Sequence, residues 1–591
     1  MKFKQIIINL KKTKDEGVEM TTEKKLPKQK IPKIKKFKKP LIAGGIITVI
    51  AIAGIIGGIV LLGEIDETRG GTFVFGATSD PNTLDPIEGW STGVTDRLIV
   101  NQVTEGLFDF EYTNNSSRLI MNLATRYDWS DNITELTCYL RKNVEFHDGT
   151  PFNATAVKWN IDRLHRLIDR IGDTYLWQLP DGNLIINETK VLDEYTVKFV
   201  LNQPFIPLLS LLASQHANML SPSSTPDNDF NGIIPGTLYG TGPFIYGEYE
   251  ENNMVTLSPN PDYWGGRPAF DKVIISLFSN DTARYEAMLA GELSMTSAGN
   301  PWSDEDRDQL MNTTGIELEE TLMPGMRYIF MNNKVINTTM RKAISYAFNY
   351  SAYANLDLLY KPVSSRFPIR SESPIPKGML YSHWGSFDMP YYNISIARQA
   401  LKDVNWPGTA GLTANNNISA GNEWELLVTD GTPLATYNYT FPIGTLDDNL
   451  FVLLNESLKQ IGVKFEQTPG MTFPDLWTMN RSMLGINRNG WFADYNDPIS
   501  MINPLFSNKT DGIWNFGQVN DALVQLWMEE ALEETNETLR EQLYFKIEKR
   551  LIEEVYPLIL VEMIFRLHTY VSNLHWQPNP FKYSFKDMYF D

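Results

Sequence analysis

The feature that most constrains the fold of this chain is an uncharged run of 23 residues at positions 41–63. As a helix that rises 1.5 Å per residue, this run would span about 34 Å, enough to cross the hydrocarbon core of a bilayer. A secretory signal peptide is the alternative, but its apolar region is usually only about 7 to 15 residues long. The sequence therefore favours an uncleaved transmembrane anchor, and the residues after this run are expected to form the folded body.

Charge is distributed unevenly on the two sides of this run. Residues 1–40 carry 14 lysines against four acidic residues, a net charge of +10, and because the whole chain carries −19, the part after the run carries −29. The positive-inside rule places the basic tail in the cytoplasm and the acidic body outside the cell. Beside a membrane span, a lysine-rich segment more often contacts anionic lipid than nucleic acid. Sixteen Asn-x-Ser/Thr sequons, all after the run, are consistent with an exported, glycosylated body.

The body alternates strand-like and helix-like segments along its whole length. Strand-like runs include residues 72–76, 196–201 and 273–278, and Asn153 precedes apolar residues at helical spacing. This alternation predicts an α/β fold. No fixed repeat is present and no low-complexity block follows residue 64, which predicts one interlocked unit with a few lobes.

The residue patterns that usually indicate catalysis, a metal or a disulfide are missing from the sequence. The single cysteine, Cys138, allows no disulfide within the chain. His147 and Asp148 stand together at a predicted turn, which supplies too few ligands for a metal. The sequence contains no His-Glu-x-x-His, Gly-x-Ser-x-Gly or phosphate-binding-loop pattern. We therefore predict a protein that is not an enzyme and uses no cofactor.

The segment 488–498, with the sequence RNGWFADYNDP, is the main candidate for a binding site. Asp494 follows a short apolar run, so it is predicted at the end of a buried strand, where α/β folds form ligand crevices. Arg488 lies six residues earlier, and alternate residues of a strand share a face. Together they would present an anion and a cation to the two ends of a zwitterionic peptide. In the alternative interpretation, Asp494 caps a neighbouring backbone and Trp491 packs in a core.

Seven segments, taken in order, resemble the large solute-binding proteins of peptide and nickel ABC importers. They fall within residues 70–591 and read DPNTLDP at 80–86, EGL at 105–107, VEFHDGTPF at 144–152, GTGPF at 240–244, NPDYW at 260–264, MRKAI at 340–344 and WFADYNDP at 491–498. Each motif is weak by itself, whereas seven in the order of that family indicate the family. The resemblance implies a two-lobed, periplasmic-binding-protein-like fold that closes over its ligand, with an extra domain on the first lobe.

This resemblance also implies a division of the body into three parts. The expected ranges are 68–112, 238–326 and 565–591 for lobe I, 113–237 for the extra domain, and 327–564 for lobe II. The chain would cross between the lobes near Tyr328 and again near Leu560. Two strand crossings of this kind form a hinge, and closure about a hinge is a common response to ligand.

The resemblance assigns functions to residues of the candidate segment. In the oligopeptide-binding members, the aspartate of the Ala-Asp-Tyr-Asn sequence takes the α-ammonium group of the ligand, and Asp494 matches it. An arginine six residues earlier can meet a ligand carboxylate, and Arg488 matches it. The strand between them pairs with the peptide backbone, at positions that correspond to Gly490 and Phe492. The predicted ligand-binding residues are Asp494, Arg488, Gly490, Trp491, Phe492 and Tyr495.

We therefore expect a membrane-anchored extracellular receptor that captures peptides and delivers them to the permease subunits of an ABC importer with cytoplasmic ATPases. Phe492 and Asp497 depart from residues seen in relatives, and the lipidated N-terminal cysteine usual in many bacterial members is absent. The family also includes binders of oligosaccharides, nickel complexes and other solutes, so the resemblance does not determine the ligand. One alternative keeps the fold and binds oligosaccharides, which the 14 tryptophans suit. A second alternative is an ecto-hydrolase, since glycosidases need two facing carboxylates and this chain has 71 acidic residues.

Overall fold

The computed structural model of the protein describes most of the chain after residue 70. The described residues are 70–87, 94–113, 116–170, 174–179, 182–227, 237–298, 303–356, 368–440, 447–468, 485–510 and 514–591. The basic tail at 1–40 and the anchor predicted at 41–63 lie outside these residues, so both stay predictions. In the part that is described, no helix combines the length and the apolar character needed to span a bilayer.

A mixed sheet of ten strands forms the centre of the described residues and confirms the predicted α/β class. Its strands, in spatial order, are β14 (Val463–Gln467), β13 (Ala435–Tyr439), β15 (Ile486–Phe492), β12 (Ile316–Met331), β16 (Leu558–Val571), β11 (Met295–Ala298), β1 (Thr72–Ala77), β10 (Lys272–Leu277), β9 (Met254–Pro259) and β8 (Phe244–Glu250). The two neighbours at the middle, β12 and β16, have 16 and 14 residues. They are long enough to take part in both halves of the sheet.

β12 and β16 run antiparallel, and their other neighbours change along their length. The first half of β12 pairs with the second half of β16, which also pairs with β11. The second half of β12 pairs with the first half of β16 and with β15. The register shifts between Leu322 and Met326 and again between Arg327 and Tyr328. Tyr328 and Leu560, the two predicted crossing points, are partners in this ladder, although the lobe boundaries themselves stay a prediction.

Smaller sheets lie outside the central one. One has the order β4 (Ala124–Trp129), β5 (Glu135–Leu140), β7 (Thr196–Leu201) and β6 (Ile186–Asp193), and the others pair β2 (Phe108–Thr113) with β3 (Ser116–Met121) and β17 (Leu574–His575) with β18 (Tyr589–Phe590). Cys138 lies in β5 and is buried, and its burial raises the pKa of the thiol. The strand-like run around Cys138 predicts a small core residue, and its burial confirms this prediction.

The helices of the described residues are mostly short and alternate with the strands. They are α1 (Val94–Val103), α2 (Ala154–Leu167), α3 (Leu208–Leu211), α4 (Asp281–Leu289), α5 (Asp304–Met311), α6 (Thr338–Ala347), α7 (Tyr350–Ala354), α8 (Ile394–Asp403), α9 (Glu423–Thr429), α10 (Asp447–Lys459), α11 (Ile499–Phe506), α12 (Ala522–Glu533) and α13 (Glu537–Arg550). The spacing of Leu539, Leu543, Ile547 and Leu551 predicts an apolar face for α13, and this prediction is partly wrong: the last three are buried, but Leu539 is 48% exposed. Leu539 lies in the first turn of α13, where the helix begins at the surface.

Many of the asparagines in the glycosylation sequons have a structural function. The side-chain oxygens of six of them accept a backbone N–H in the first turn of a helix, and these are Asn153, Asn280, Asn337, Asn349, Asn393 and Asn536. Asparagine is a favoured N-cap, and serine and threonine are common in the turn that follows. Helix capping therefore explains these six sequons without any glycan, and the predicted glycosylation has no support from them.

The largest hydrophobic cluster joins parts of the chain that are far apart in sequence. It contains Phe199 from the four-stranded sheet together with Ile499 and Leu543 from helices of the C-terminal half. The N–H of Ile206 donates to the carbonyl oxygen of Leu532 at 2.9 Å and links the same two parts. The segment predicted as an extra domain on lobe I therefore also packs against the predicted lobe II. Residues Glu67–Asp591 form one compact unit, in agreement with the predicted interlocked body.

Candidate ligand-binding site

The candidate segment lies where the sequence predicts it, at the end of a strand. β15 ends at Phe492, and Asp494 follows two residues later. On one side, β15 pairs with β12 along its whole length. On its other side, the described residues pair it with β13 at a single position, Ile486 with Tyr439. Most of this edge of β15 therefore has no strand partner within the described part of the chain.

The backbone groups of Gly490 and Phe492 point toward that edge. The N–H of Ala493 donates to the carbonyl oxygen of Pro324 in β12 at 2.7 Å. Because successive residues of a strand direct their backbone groups to opposite sides, Gly490 and Phe492 direct theirs away from β12. The N–H of Gly490 accordingly donates to the side-chain oxygen of Asn489 at 2.8 Å and not to the neighbouring strand.

Phe492, one of the departures from relatives, is accommodated by a glycine on the facing strand. Gly325 is its partner in β12, and a Cβ atom at Gly325 would come within 2.5 Å of Cδ1 of the Phe492 ring. Only a residue without a side chain leaves room for the ring there. The ring of Phe492 then lines a cavity beside the end of β15.

Asp494 is 8% exposed and lines a second cavity next to the first. The hydroxyl of Tyr175 donates to its Oδ1 at 2.9 Å. The ring of Tyr175 packs against Trp514 at 5.4 Å between centroids, and Trp514 packs against Trp491 at 5.3 Å. Trp491 is fixed in turn, because its Nε1 donates to the carbonyl oxygen of Ser500 at 2.9 Å. Aromatic rings therefore support the carboxylate from one side and limit its contact with water.

The residues after Asp494 divide between the cavity and the core. Tyr495 is buried and lines the cavity, and its burial, with Asp497 and Asp494 nearby, raises the pKa of its hydroxyl well above 10. Asp497 is fully buried and forms an ion pair with Arg540, at 2.8 Å from Oδ2 to Nη1. The hydroxyl of Tyr544 donates to the same carboxylate at 3.2 Å. The N–H of Ile499 also donates to Oδ1 of Asp497 at 3.1 Å, so Asp497 caps a neighbouring backbone, which is the function that the alternative interpretation gave to Asp494.

Arg488 is placed away from Asp494. Its Nη2 atom lies 3.1 Å from Oε1 of Glu562, a fully buried carboxylate that is also 3.7 Å from Nε of Arg327. Burial raises the pKa of Glu562, and the two arginines oppose that rise. Arg488 is not among the described residues that line either cavity. The structure therefore does not bring Arg488 and Asp494 together, and carboxylate binding by Arg488 stays a prediction.

Two adjoining cavities lie beside the segment. The cavity at Asp494 measures about 100 Å³ and the cavity at Phe492 about 570 Å³, and both are open to solvent. Their common lining residues are Arg97, Met323, Arg566 and Tyr583. No pattern in the sequence marks these four residues, or Tyr175 and His216, because they come from segments that are far from 488–498 and carry no local motif.

The described residues offer no arrangement suited to a metal ion. No three His, Cys, Asp or Glu side chains in this part of the chain are grouped closely enough to hold one. Nε2 of His147 lies 2.9 Å from the carbonyl oxygen of Gly242, and Asp148 accepts hydrogen bonds from Thr150, Ser221 and Ser224. These two residues therefore stabilise the turn in which they lie.

Comparison with known proteins identifies the family. The chain matches the family model for bacterial extracellular solute-binding proteins, family 5, middle, over residues 118–512. The chain belongs to this family. The match includes β15 and the candidate segment 488–498.

Individual relatives of this family 5 protein are distant but match over most of their length. The probable D,D-dipeptide-binding periplasmic protein DdpA of Escherichia coli K12 is 25% identical over 512 residues, which is 84% of this chain and 89% of that protein. The glutathione-binding protein GsiB of the same strain is 25% identical over 86% of this chain and 92% of its own. The solved structure of the periplasmic binding protein DppA from Helicobacter pylori, in complex with the peptide STSA, superposes with a TM-score of 0.64 at 20% identity, covering 88% of this chain and 98% of that one.

Proposed function

We propose that this family 5 protein captures peptides beside β15 and delivers them to the permease subunits of an ABC importer. The observation that carries the proposal is the position of Asp494: a largely buried carboxylate at the end of a strand, lining a cavity next to an edge with little strand pairing. A peptide added along that edge would pair with the backbone of Gly490 and Phe492, which gives affinity without reading side chains. Its ammonium group would then meet Asp494.

The names of the relatives support a peptide as the ligand. DdpA is named for D,D-dipeptides, and the structure of DppA contains the peptide STSA. An oligosaccharide receptor needs no buried anion at the end of its strand, whereas a peptide with a free amino end does. A peptide therefore fits the carboxylate at Asp494 better than an uncharged oligosaccharide does.

For the carboxyl end of the ligand, the geometry favours Arg566 over Arg488. Arg566 lines both cavities, and within the described residues no ion pair with a carboxylate involves it. Its guanidinium carbon lies 5.7 Å from the centre of the Tyr583 ring. Arg488 already faces Glu562. A short peptide held at Asp494 would extend toward the larger cavity and place its carboxylate near Arg566.

Two further parts of the proposal concern the whole chain. Residues 41–63 anchor the protein in the membrane, since an uncharged run of this length suits a bilayer. The body closes over its ligand about β12 and β16, whose register shifts lie between the two halves of the sheet. Contacts such as that between Tyr175 and Asp494 then belong to the closed form and separate when the cleft opens.

Replacing Asp494 tests the proposal. The Asp494→Asn variant keeps an acceptor for Tyr175 but removes the charge that pairs with the ammonium group, at a cost of about 3–5 kcal/mol. We expect its affinity for a peptide selected from a pool of di- to pentapeptides to fall at least about a hundredfold in calorimetry. Asp131→Asn, in an exposed turn, is the control. Equal affinity of Asp494→Asn and the wild type, or a glycan released from the purified protein in mass spectrometry, would contradict peptide capture at Asp494.

A further inference from the structure

The larger cavity is lined by more positive than negative side chains. Its described lining contains three arginines, Arg97, Arg284 and Arg566, and one acidic residue, Asp281. Asp281 is already paired, because its Oδ1 lies 2.7 Å from Nη2 of Arg284. The other two guanidinium groups therefore make the described lining of this cavity positive, although the chain as a whole carries a net charge of −19.

Arg97 and Arg566 lie where the two cavities adjoin. Arg97, in α1, and Arg566, in β16, line both cavities, and both residues are half-buried. The charge of Arg97 also acts on the wall of the smaller cavity, where burial and this charge lower the pKa of His216 to about 3. A ligand that extends from Asp494 into the larger cavity therefore passes both guanidinium groups.

The other charged residues of the smaller cavity are matched within the protein. Nζ of Lys582 lies 2.6 Å from Oδ2 of Asp109, and Nζ of Lys586 lies 3.7 Å from Oδ1 of Asp587. The buried carboxylate of Glu105 accepts hydrogen bonds from three side chains, those of Thr241, Tyr263 and Trp264. These contacts therefore leave the two arginines as the positive groups offered to a ligand in both cavities.

The two arginines together can take more negative charge than one terminal carboxylate supplies. A guanidinium group has five N–H donors in a planar fork, so Arg97 can bind a ligand carboxylate in addition to its other contacts. Such a pair is stronger in a partly buried cavity than in water, because the local dielectric constant is lower. The side-chain carboxylate of an acidic residue at the end of a peptide lies only a few bonds from the terminal carboxylate. One residue of the ligand can therefore supply both anions.

We propose that the two cavities select peptides that end in an acidic residue, with the terminal carboxylate at Arg566 and the side-chain carboxylate at Arg97. This inference rests on the proposed function and narrows its ligand class. The amino end and the two carboxylates of such a peptide match Asp494 and the two arginines in charge. A glutamine in place of the final glutamate has nearly the same shape but brings no charge to Arg97.

The test compares two peptides that differ only in the charge of their last side chain. They come from a pool of di- to pentapeptides in which each sequence is present once with a C-terminal glutamate and once with a C-terminal glutamine. Mass spectrometry of the retained peptides selects the pair. We expect the wild type to bind the glutamate peptide about tenfold more tightly in calorimetry.

Three variants locate this preference at Arg97. We expect Arg97→Gln to lose the preference for the glutamate peptide and Arg97→Lys, which keeps the charge, to retain most of it. Arg118→Gln is the matched control, because the Arg118 side chain in β3 is 75% exposed and is absent from the described lining of both cavities. That variant is expected to bind both peptides as the wild type does.

Each remaining outcome decides between the two proposals. If the wild type binds the two peptides equally, while Asp494→Asn loses both, the selection for an acidic end is wrong and peptide capture stands. A preference that Arg97→Gln keeps in full also overturns the inference. If the wild type retains no peptide from the pool, both proposals fail. Thermal unfolding shows whether Arg97→Gln folds. If it does not, a wild-type preference of about tenfold that Arg97→Lys and Arg118→Gln both retain supports the inference, and equal affinity of the wild type for the two peptides overturns it.

Discussion

Two aspartates three residues apart have different environments and different functions. Asp494 lines a cavity and accepts a hydrogen bond from Tyr175, whereas Asp497 is fully buried against Arg540 and Tyr544. The sequence presents both in one polar, aromatic segment and does not show which of them faces the ligand. The fold distinguishes the two aspartates, because Arg540 in the first turn of α13 forms its ion pair with Asp497.

We expect Asp497→Asn to destabilise the fold and to leave the peptide site formed in whatever protein remains folded. The variant leaves the buried guanidinium of Arg540 without its counter-charge, which costs about 3–5 kcal/mol. Chemical denaturation of the peptide-free proteins measures this difference in the free energy of unfolding. Asp494→Asn is the matched comparison and is expected to change it by less than about 1 kcal/mol, since an asparagine still accepts from Tyr175. Equal stability of the two variants would contradict this division of functions.

His216 also makes stability depend on pH. Its pKa is about 3 in the folded protein and near 6.5 in the unfolded chain. The unfolded chain therefore binds a proton between these values that the folded protein does not, so stability falls as the pH falls from 6.5 toward 3. From pH 6.5 to 4.5 this contribution amounts to about 2 kcal/mol.

The comparison with His216→Asn isolates this contribution. Buried acids such as Glu105 and Glu548, whose pKa values burial raises, act in the opposite direction, but they do so equally in both proteins. We expect the variant to lose about 2 kcal/mol less than the wild type between pH 6.5 and 4.5 in denaturant titrations at the two pH values. Parallel losses in the two proteins would show that His216 titrates normally in the folded state.

At the scale of the elements, one tight turn has no room for a side chain. A Cβ atom at Gly240 would lie 2.1 Å from the carbonyl oxygen of Val103 at the end of α1, and that oxygen belongs to rigid backbone. The N–H of Gly242 donates to the same oxygen at 2.9 Å. The turn before β8 therefore packs directly on the backbone of α1.

We expect Gly240→Ala to lower the free energy of unfolding by several kcal/mol, because backbone must move to admit the methyl group. Gly517→Ala is the control, since a Cβ atom there has its nearest neighbour at 3.5 Å, an ordinary contact. That variant is expected to stay within about 1 kcal/mol of the wild type. Thermal unfolding of both proteins checks the difference, and a Gly240→Ala variant as stable as Gly517→Ala would show that the turn has room.

Element types were predictable from the sequence where periodicity is unbroken. The strand predicted at 196–201 is β7, that at 273–278 is β10 within one residue, and Asn153 caps α2. The sequence predicts β12 only over residues 327–331, because Pro324 and Gly325 interrupt the apolar pattern upstream. In the structure, β12 runs through Pro324 and Gly325, and its register shifts there. Such irregular positions are where a β-sheet tolerates proline.

The candidate site was predictable only in its local part. The end of β15, Asp494 and the direction of the backbone at Gly490 follow from residues that are close in sequence. The pairing of Arg488 with Glu562 and the approach of His216 depend on segments that are respectively 74 and 278 residues away. No spacing rule connects such positions, so only the folded chain shows them.

At the scale of the whole molecule, the proposed closure predicts a change of shape on binding. Residues 67–591, which form one compact unit, can be studied without the basic tail and the uncharged run. We expect the radius of gyration of this body in X-ray scattering to fall when a bound peptide is added, since hinge closure brings the halves together. Asp494→Asn at the same peptide concentration should show no change. Identical scattering of the wild type with and without peptide would mean that the body does not close.

The place of β16 has a consequence for how the chain acquires its fold. It is the fifth strand of ten in space but comes after the other nine in sequence, and it pairs with β12 on one side and β11 on the other. Without residues 558–571, the sheet separates into a group of four strands and a group of five. A chain that is synthesised or translocated from its N-terminus therefore keeps its two half-sheets apart until almost its last segment emerges. Loss of the final 34 residues would remove the strand that joins them.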